Sequence, residues 1–324
     1  MVCLSRLTQW ADSSIAGGMS QPRTPCPTAL APLSAGGNLR AAGLMTGAMA
    51  MFALEDAGIK LLAQRLPVGQ IVATIGVLGL GIFWMLLARQ GGRMLTRDLI
   101  RPVVVLRNAG ETLGTLSFVS AVALTDLASA SAILQALPLA LVLGAALFLR
   151  ERVGWRRWLA ILIGFAGVLA IIRPGLSAFQ PASVLALMAV AGLAIRDLCT
   201  RRMPRHVPSH QLSASAFGVL APAGLVLAAA QGTPLLRPTG AEVATFAACI
   251  GVGVAGYAMM VMATRVGEAS MVAPFRYTRL VFALVLAVLV FAERPDAVTL
   301  AGAAVICGSG GFAMWRELRR GRRS

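Results

Sequence analysis

The sequence predicts an all-α polytopic membrane protein with about ten transmembrane helices, built as two inverted five-helix repeats. Three observations carry that prediction. Of the 324 residues, 57% are hydrophobic and 13% are charged, about half the charged fraction of a soluble domain. Apolar runs of bilayer-spanning length, roughly 20 residues each, recur from residue 41 almost to the C-terminus. The basic residues fall in short clusters between those runs, as they do in the cytoplasmic loops of membrane proteins. The net charge of +16 is therefore a topology signal and argues against a nucleic-acid partner; the lipid bilayer is the partner that composition implies.

Residues 1–40 read as a disordered cytoplasmic tail. The first 37 are rich in Ser, Pro and Gly and lack the uninterrupted apolar core of a signal peptide. They fit either a tail or sequence upstream of the true start, with Met19 as an alternative initiator. The first repeat, 41–173, holds spans at 41–63, 67–88, 102–124, 128–149 and 157–173. The second, 181–315, holds spans at 181–197, 210–230, 241–263, 269–292 and 297–315, and a basic cytoplasmic tail follows at 316–324. Connections carry turn formers, as in RPGLSAFQP (173–181) and QGTPLLRPTG (231–240). The sixth and seventh spans are Ala-rich and interrupted.

With ten spans and a cytoplasmic N-terminus, 21 of the 29 Lys and Arg residues fall on the cytoplasmic side. Four fall outside (Arg65, Arg173, Arg237 and Arg294), and four lie within spans. That asymmetry predicts that both termini face the cytoplasm. The halves also echo one another. ALFLRERVGWRRWLAILIGFAGVLAII (146–172) and VLVFAERPDAVTLAGAAVICGSGGFAM (288–314) share an apolar run, Glu-Arg, a polar break and a Gly-studded span. Glu151 and Glu293 are 142 positions apart, about the length of one half. Five spans per half is an odd number, so a duplicated half faces the opposite way. Inverted repeats of this kind place a substrate site near the midplane, between the halves.

On ASAILQALPLALVLGAALFLRERVGWRRWLAILIGFAGVLAIIRPG (130–175) and MVAPFRYTRLVFALVLAVLVFAERPDAVTLAGAAVICGSG (271–310), the chain resembles the EamA-type group of the drug/metabolite transporter superfamily. The resemblance covers about 40–316. It implies two inverted five-helix repeats around a central cavity that moves small metabolites. The Pro-Phe-x-Tyr pattern and the RPG turn are most similar to bacterial subfamilies that include riboflavin and S-adenosylmethionine uptake proteins; other members of the superfamily export amino acids and related metabolites.

An ionisable side chain at mid-membrane costs roughly 2.5–3.5 kcal/mol on insertion scales, so it faces a cavity or a partner. Seven lie inside the spans: Glu55, Asp56, Lys60, Arg107, Glu111, Arg276 and Arg279. Asp56 and Lys60 are four apart, as are Arg107 and Glu111, so each pair shares a helix face and is expected to neutralise locally. That leaves Glu55 against two arginines. Arg276 and Arg279 read as cavity-lining groups for an anionic or hydrogen-bonding part of the substrate, because guanidinium is a planar multi-donor; Arg107 and Glu111 are further substrate candidates. The plainer alternative is an ion pair with Glu55 or Glu111, or snorkelling to the interface. Tyr277 and Gln135 occupy equivalent positions, each 16 residues before the Glu of its repeat. They are expected to be polar groups of the cavity, the alternative being a hydrogen bond to a neighbouring helix. Glu55 and Asp56, beside Lys60, are candidates for proton coupling or charge balance, against a static bridge to Lys60. Glu151 and Glu293, at span ends, read as loop structure.

Other apparent motifs carry less. GVGVAG (251–256) has the form of a dinucleotide fingerprint, but no strand precedes it, and small residues packing one helix on another explain it better. Gly164 and Gly167 read the same way. His206 and His210 flank Val-Pro-Ser in a basic loop without a third ligand. The five cysteines are scattered with no Cys-x-x-Cys and read as apolar fillers. No metal, cofactor or catalytic constellation is expected. The expectation is a secondary transporter of a small polar metabolite (vitamin, nucleoside-like or amino-acid-like) by alternating access, as a monomer or homodimer. A passive channel and an intramembrane enzyme are the rivals.

Overall fold

The structure is a computed structural model that describes residues 35–94, 96–148, 154–174, 180–203, 207, 209–266 and 273–321. Glu151, His206, most of the RPGLSAFQP turn, the first 34 residues and the last three lie outside the described residues, as does the side chain of His210. The described elements are helical. They are α1 (Ala35–Ala63), α2 (Val68–Arg89), α3 (Pro102–Leu124), α4 (Leu127–Leu134), α5 (Leu137–Phe148), α6 (Trp155–Ile172), α7 (Ser183–Arg201), α8 (Ser209–Ala230), α9 (Gly240–Val266), α10 (Thr278–Phe291) and α11 (Ala297–Gly321). Short 3-10 turns at Arg97–Ile100 and Ala273–Tyr277 precede α3 and α10. The chain is an all-α polytopic membrane protein.

Five segments are long and apolar enough to cross a membrane: Val68–Arg89, Leu127–Phe148, Ser183–Thr200, Gln211–Ala230 and Gly240–Met260. The helices α1 and α3 are as long, at 29 and 23 residues. They fall short in apolarity because they carry the ionisable side chains singled out above. Polar chemistry is thus concentrated on a few helices, and the rest provide an apolar frame.

The packing follows a two-fold pattern. Exchanging the two repeats swaps α1 with α7, α2 with α8, α3 with α9, and α6 with α11. The helix α1 packs along α9, and its counterpart pair α7 and α3 pack in the same way. The pairs α2–α8 and α6–α11, each its own counterpart, also pack closely. Glycines permit the approach. A Cβ added at Gly69 would fall 2.5 Å from Gly224 O, one at Gly192 2.8 Å from Gly110 O, and one at Gly167 2.9 Å from Gly302 O. A Cβ at Gly256 would lie 3.0 Å from Met51 Cβ, and one at Gly164 2.1 Å from Leu139 Cδ1. Helix packing through small residues therefore accounts for these glycines of both motifs.

The span expected at 128–149 is not one continuous helix, and the described part of the span at 269–292 begins as a 3-10 turn. The first is interrupted at Gln135–Ala136, between α4 and α5. Pro138 supplies the reason: it has no N–H to donate to Leu134 O, and its ring crowds that carbonyl. The second changes from a 3-10 turn to an α-helix between Tyr277 and Thr278, just after Pro274. The outer helices also run further than expected, α1 beginning at Ala35 and α11 ending at Gly321, so helix extends into what reads as tail at both ends.

Candidate functional site

The break of the first repeat meets the 3-10-to-α junction of the second. Gln135 is buried at the break of the first repeat, and its Nε2 donates to Tyr277 O at 3.1 Å, at the junction of the second. Tyr277 is the N-cap of α10, so its carbonyl already opens the α-helical ladder, and the side-chain amide from the opposite repeat is an additional donor to it. The Tyr277 hydroxyl is buried against Gly310, where an added Cβ would lie only 1.8 Å from it. It makes no hydrogen bond among the described residues, and neither does the buried Ser131 hydroxyl one turn before Gln135. Gln135 and Tyr277 are thus brought together, and unspent hydrogen-bonding capacity remains beside the junction.

The charged groups pair differently from expectation. Asp56 and Lys60 do not neutralise one another. Asp56 is 2% exposed and receives Nη2 and Nε of Arg279, at 2.7 Å to Oδ1 and 3.0 Å to Oδ2. The guanidinium also stands 5.5 Å from the Phe52 ring and 5.7 Å from the Phe118 ring. Lys60 pairs with Glu293 Oε1 at 2.5 Å and donates to Thr125 O at 2.8 Å. Their shared face on α1 meets α10, so opposite charge on the other repeat wins over the i,i+4 neighbour. The planar fork of Arg279 also makes a bidentate bond that Lys60 cannot.

Arg107 and Glu111 do approach, at 3.8 Å, but Arg196 lies closer to Glu111, at 3.1 Å. Arg107 is satisfied chiefly by Thr200 Oγ1 at 3.1 Å and Leu212 O at 3.2 Å. Arg196, with Asp197 at 2.7 Å, is a residue that sequence reasoning placed in a cytoplasmic cluster. Its signal was the length of the sixth span: continued to Arg201, the helix holds Arg196 more than a turn inside its end. Two charged side chains remain: among the described residues neither Glu55 nor Arg276 makes an ion pair. The Glu55 carboxylate lies against Gly253, where an added Cβ would fall 2.9 Å from Oε1, and Arg276 Nη2 reaches Met260 Sδ at 3.4 Å.

Glu293 does more than shape a loop. Its two carboxylate oxygens accept the backbone N–H groups of Leu127 (2.9 Å) and Ala128 (3.2 Å), capping α4 from the opposite repeat, where negative charge is favoured. Beside it lies a polar cavity of about 200 Å³ lined by Asp126, Ser129, Arg173, Gln180, Glu293 and Asp296, among others. Arg173, in a left-handed C-cap conformation (φ 52°), pairs with Asp296. That guanidinium, with Thr299, holds the Asp296 carboxyl below the ordinary carboxylate range. At the same end Arg65 and Glu242 pair at 2.6 Å. Among the described residues no group of three His, Cys, Asp or Glu is placed to hold a metal ion.

The EamA-like transporter family matches this chain twice, over residues 39–173 and 180–313. The chain belongs to that family. This EamA-like protein is 27% identical over 218 residues to an S-adenosylmethionine uptake transporter of Rickettsia bellii (strain RML369-C), covering 67% of this chain and 74% of the relative. It is 30% identical over 212 residues to a riboflavin transporter of Rhizobium johnstonii (strain DSM 114642 / LMG 32736 / 3841), covering 65% and 69%. It is 28% identical over 264 residues to the pseudopaline exporter CntI of Pseudomonas aeruginosa (strain UCBPP-PA14), covering 79% and 89%. A solved crystal structure shares its fold, with a TM-score of 0.55 at 22% identity, over 83% of this chain and 97% of the other.

Proposed function

We propose that this EamA-like protein is a secondary transporter of a small polar organic metabolite, working by alternating access across a bacterial inner membrane with both termini cytoplasmic. The observation that carries the reading is the contact between the helix break of the first repeat and the 3-10-to-α junction of the second, Gln135 Nε2 to Tyr277 O at 3.1 Å. Interrupted spans at corresponding positions of two inverted repeats are how transporters expose backbone and side-chain polar groups to a substrate near the midplane. Here irregular helix from each repeat, the break at Gln135 and the 3-10 turn ending at Tyr277, contributes to a single junction, so relative movement of the repeats changes access to it from either side. Arg276 and Tyr277 from the second repeat and Gln135 from the first are the residues assigned to the substrate. Arg279 supports them from its bond to Asp56.

Relatives named for S-adenosylmethionine, riboflavin and pseudopaline favour organic metabolites over inorganic ions as cargo. The closed state rests on ion pairs that cross between repeats at one end of the bundle: Lys60–Glu293, Arg65–Glu242 and Arg173–Asp296. Opening that end separates them.

Flux of labelled metabolites into proteoliposomes tests the proposal. Saturable uptake with counterflow, in which unlabelled substrate inside accelerates entry of label, supports alternating access. Unsaturable flux would identify a channel, and chemical conversion of the substrate would identify an enzyme.

A further inference from the structure

The two charges left without an ion pair among the described residues converge on one stripe of α9. Glu55 rests on Gly253, and Arg276 touches Met260. Seven residues are almost two full turns, so these positions lie on the same face, about 10 Å apart along the axis. Tyr257 lies between them on that face. Its ring meets Phe83 edge-on, with centroids 6.1 Å apart, and Phe83 stacks on Phe217 at 5.4 Å. Opposite charges spaced along a helix with an aromatic face between them do not neutralise each other. Each is instead complementary to one end of an elongated ligand. Ionised side chains inside spans are expensive without a partner, and the other internal charges of this bundle have found theirs.

Resting on the transport reading above, we propose that this stripe selects zwitterionic metabolites: a carboxylate binds Arg276, a cationic group binds Glu55, and the body of the molecule lies against Tyr257. Guanidinium holds a carboxylate with paired hydrogen bonds, and a carboxylate on the opposite repeat rejects a ligand whose second end is also anionic. The aromatic face favours a flat or cationic middle.

The test uses the full-length protein in nanodiscs and proteoliposomes, with three probes. S-adenosylmethionine carries both a carboxylate and cationic centres, decarboxylated S-adenosylmethionine keeps only the cations, and riboflavin has neither. The expected result is that S-adenosylmethionine binds wild type at least about tenfold more tightly than its decarboxylated analogue. Arg276→Gln should bring that ratio close to one, and Arg276→Lys should restore part of it. Glu55→Gln should weaken both cationic probes alike without changing the ratio. Unchanged melting temperatures of the variants establish that they fold. An equal affinity of wild type for the two cationic probes, or a ratio untouched by Arg276→Gln, overturns the inference. So does saturable riboflavin transport with both Gln variants unaffected, which would leave the transport reading standing. Absence of saturable flux for all three probes would overturn the transport reading itself.

Discussion

The roles of individual residues separate according to whether their charge is already satisfied. Arg279 has a bidentate carboxylate and two aromatic faces, so its removal strands a buried Asp56. We expect Arg279→Gln or Asp56→Asn alone to destabilise the protein by about 3 kcal/mol or more, as breaking one side of a buried pair does. The double variant should lose less than the sum of the two. Thermal melting of all four forms in detergent measures this coupling, and simple additivity would mean that the pair contributes nothing. Arg276 lacks such a partner. Arg276→Ala is expected to lower uptake kcat/KM about tenfold or more, the size of one lost charge-assisted hydrogen bond, with membrane insertion intact; wild-type uptake in that variant would remove it from the site. The sequence revealed most of the side chains charged inside spans, Arg196 excepted, and that positions 135 and 277 correspond. It did not reveal the pairing. Local spacing links Asp56 to Lys60, whereas the partners chosen, Arg279 and Glu293, are 223 and 233 residues away. That choice depends on how two helices from different repeats face one another, which periodicity along one helix does not encode.

At the scale of elements, helix positions followed from hydropathy because lipid requires every backbone group of a span to be bonded within it. The break at Gln135 was not legible, since a single proline in an apolar run is compatible with a kink. The close helix pairs give a sharper test. Gly302→Ala puts a methyl group 2.6 Å from Ile171 Cγ1 and 2.9 Å from Gly167 O, and should cost about 1–3 kcal/mol as overpacking does. Gly308→Ala on the same helix meets nothing within 4 Å and should be neutral or slightly stabilising by helix propensity. Equal melting temperatures for the two would contradict the packing of α6 on α11. The connection before α11 carries a pH signature. Asp296 has a depressed value through Arg173 and Thr299, so the stability it contributes is fully present above the ordinary carboxylate range. That stability disappears as pH falls through its lowered value. Acid melting curves of wild type and Asp296→Asn should therefore converge as pH falls, and a constant gap between them would contradict this assignment.

For the whole molecule, the proposal is that two repeats, joined by several cross-repeat ion pairs and by the Gln135–Tyr277 contact within the bundle, move against each other around a single site. The two-fold packing pattern is consistent with it: α1 on α9 matches α7 on α3, and the self-paired α2–α8 and α6–α11 are interfaces between the repeats. The most direct measurement is cysteine accessibility across the membrane. With the native cysteines replaced, single cysteines at positions 135 and 277 are treated with a membrane-impermeant maleimide from each side in turn, with and without a transported substrate. Alternating access of the two repeats predicts that both positions react from both sides and that substrate protects both together. Reaction from one side only, with substrate present or absent, would contradict it.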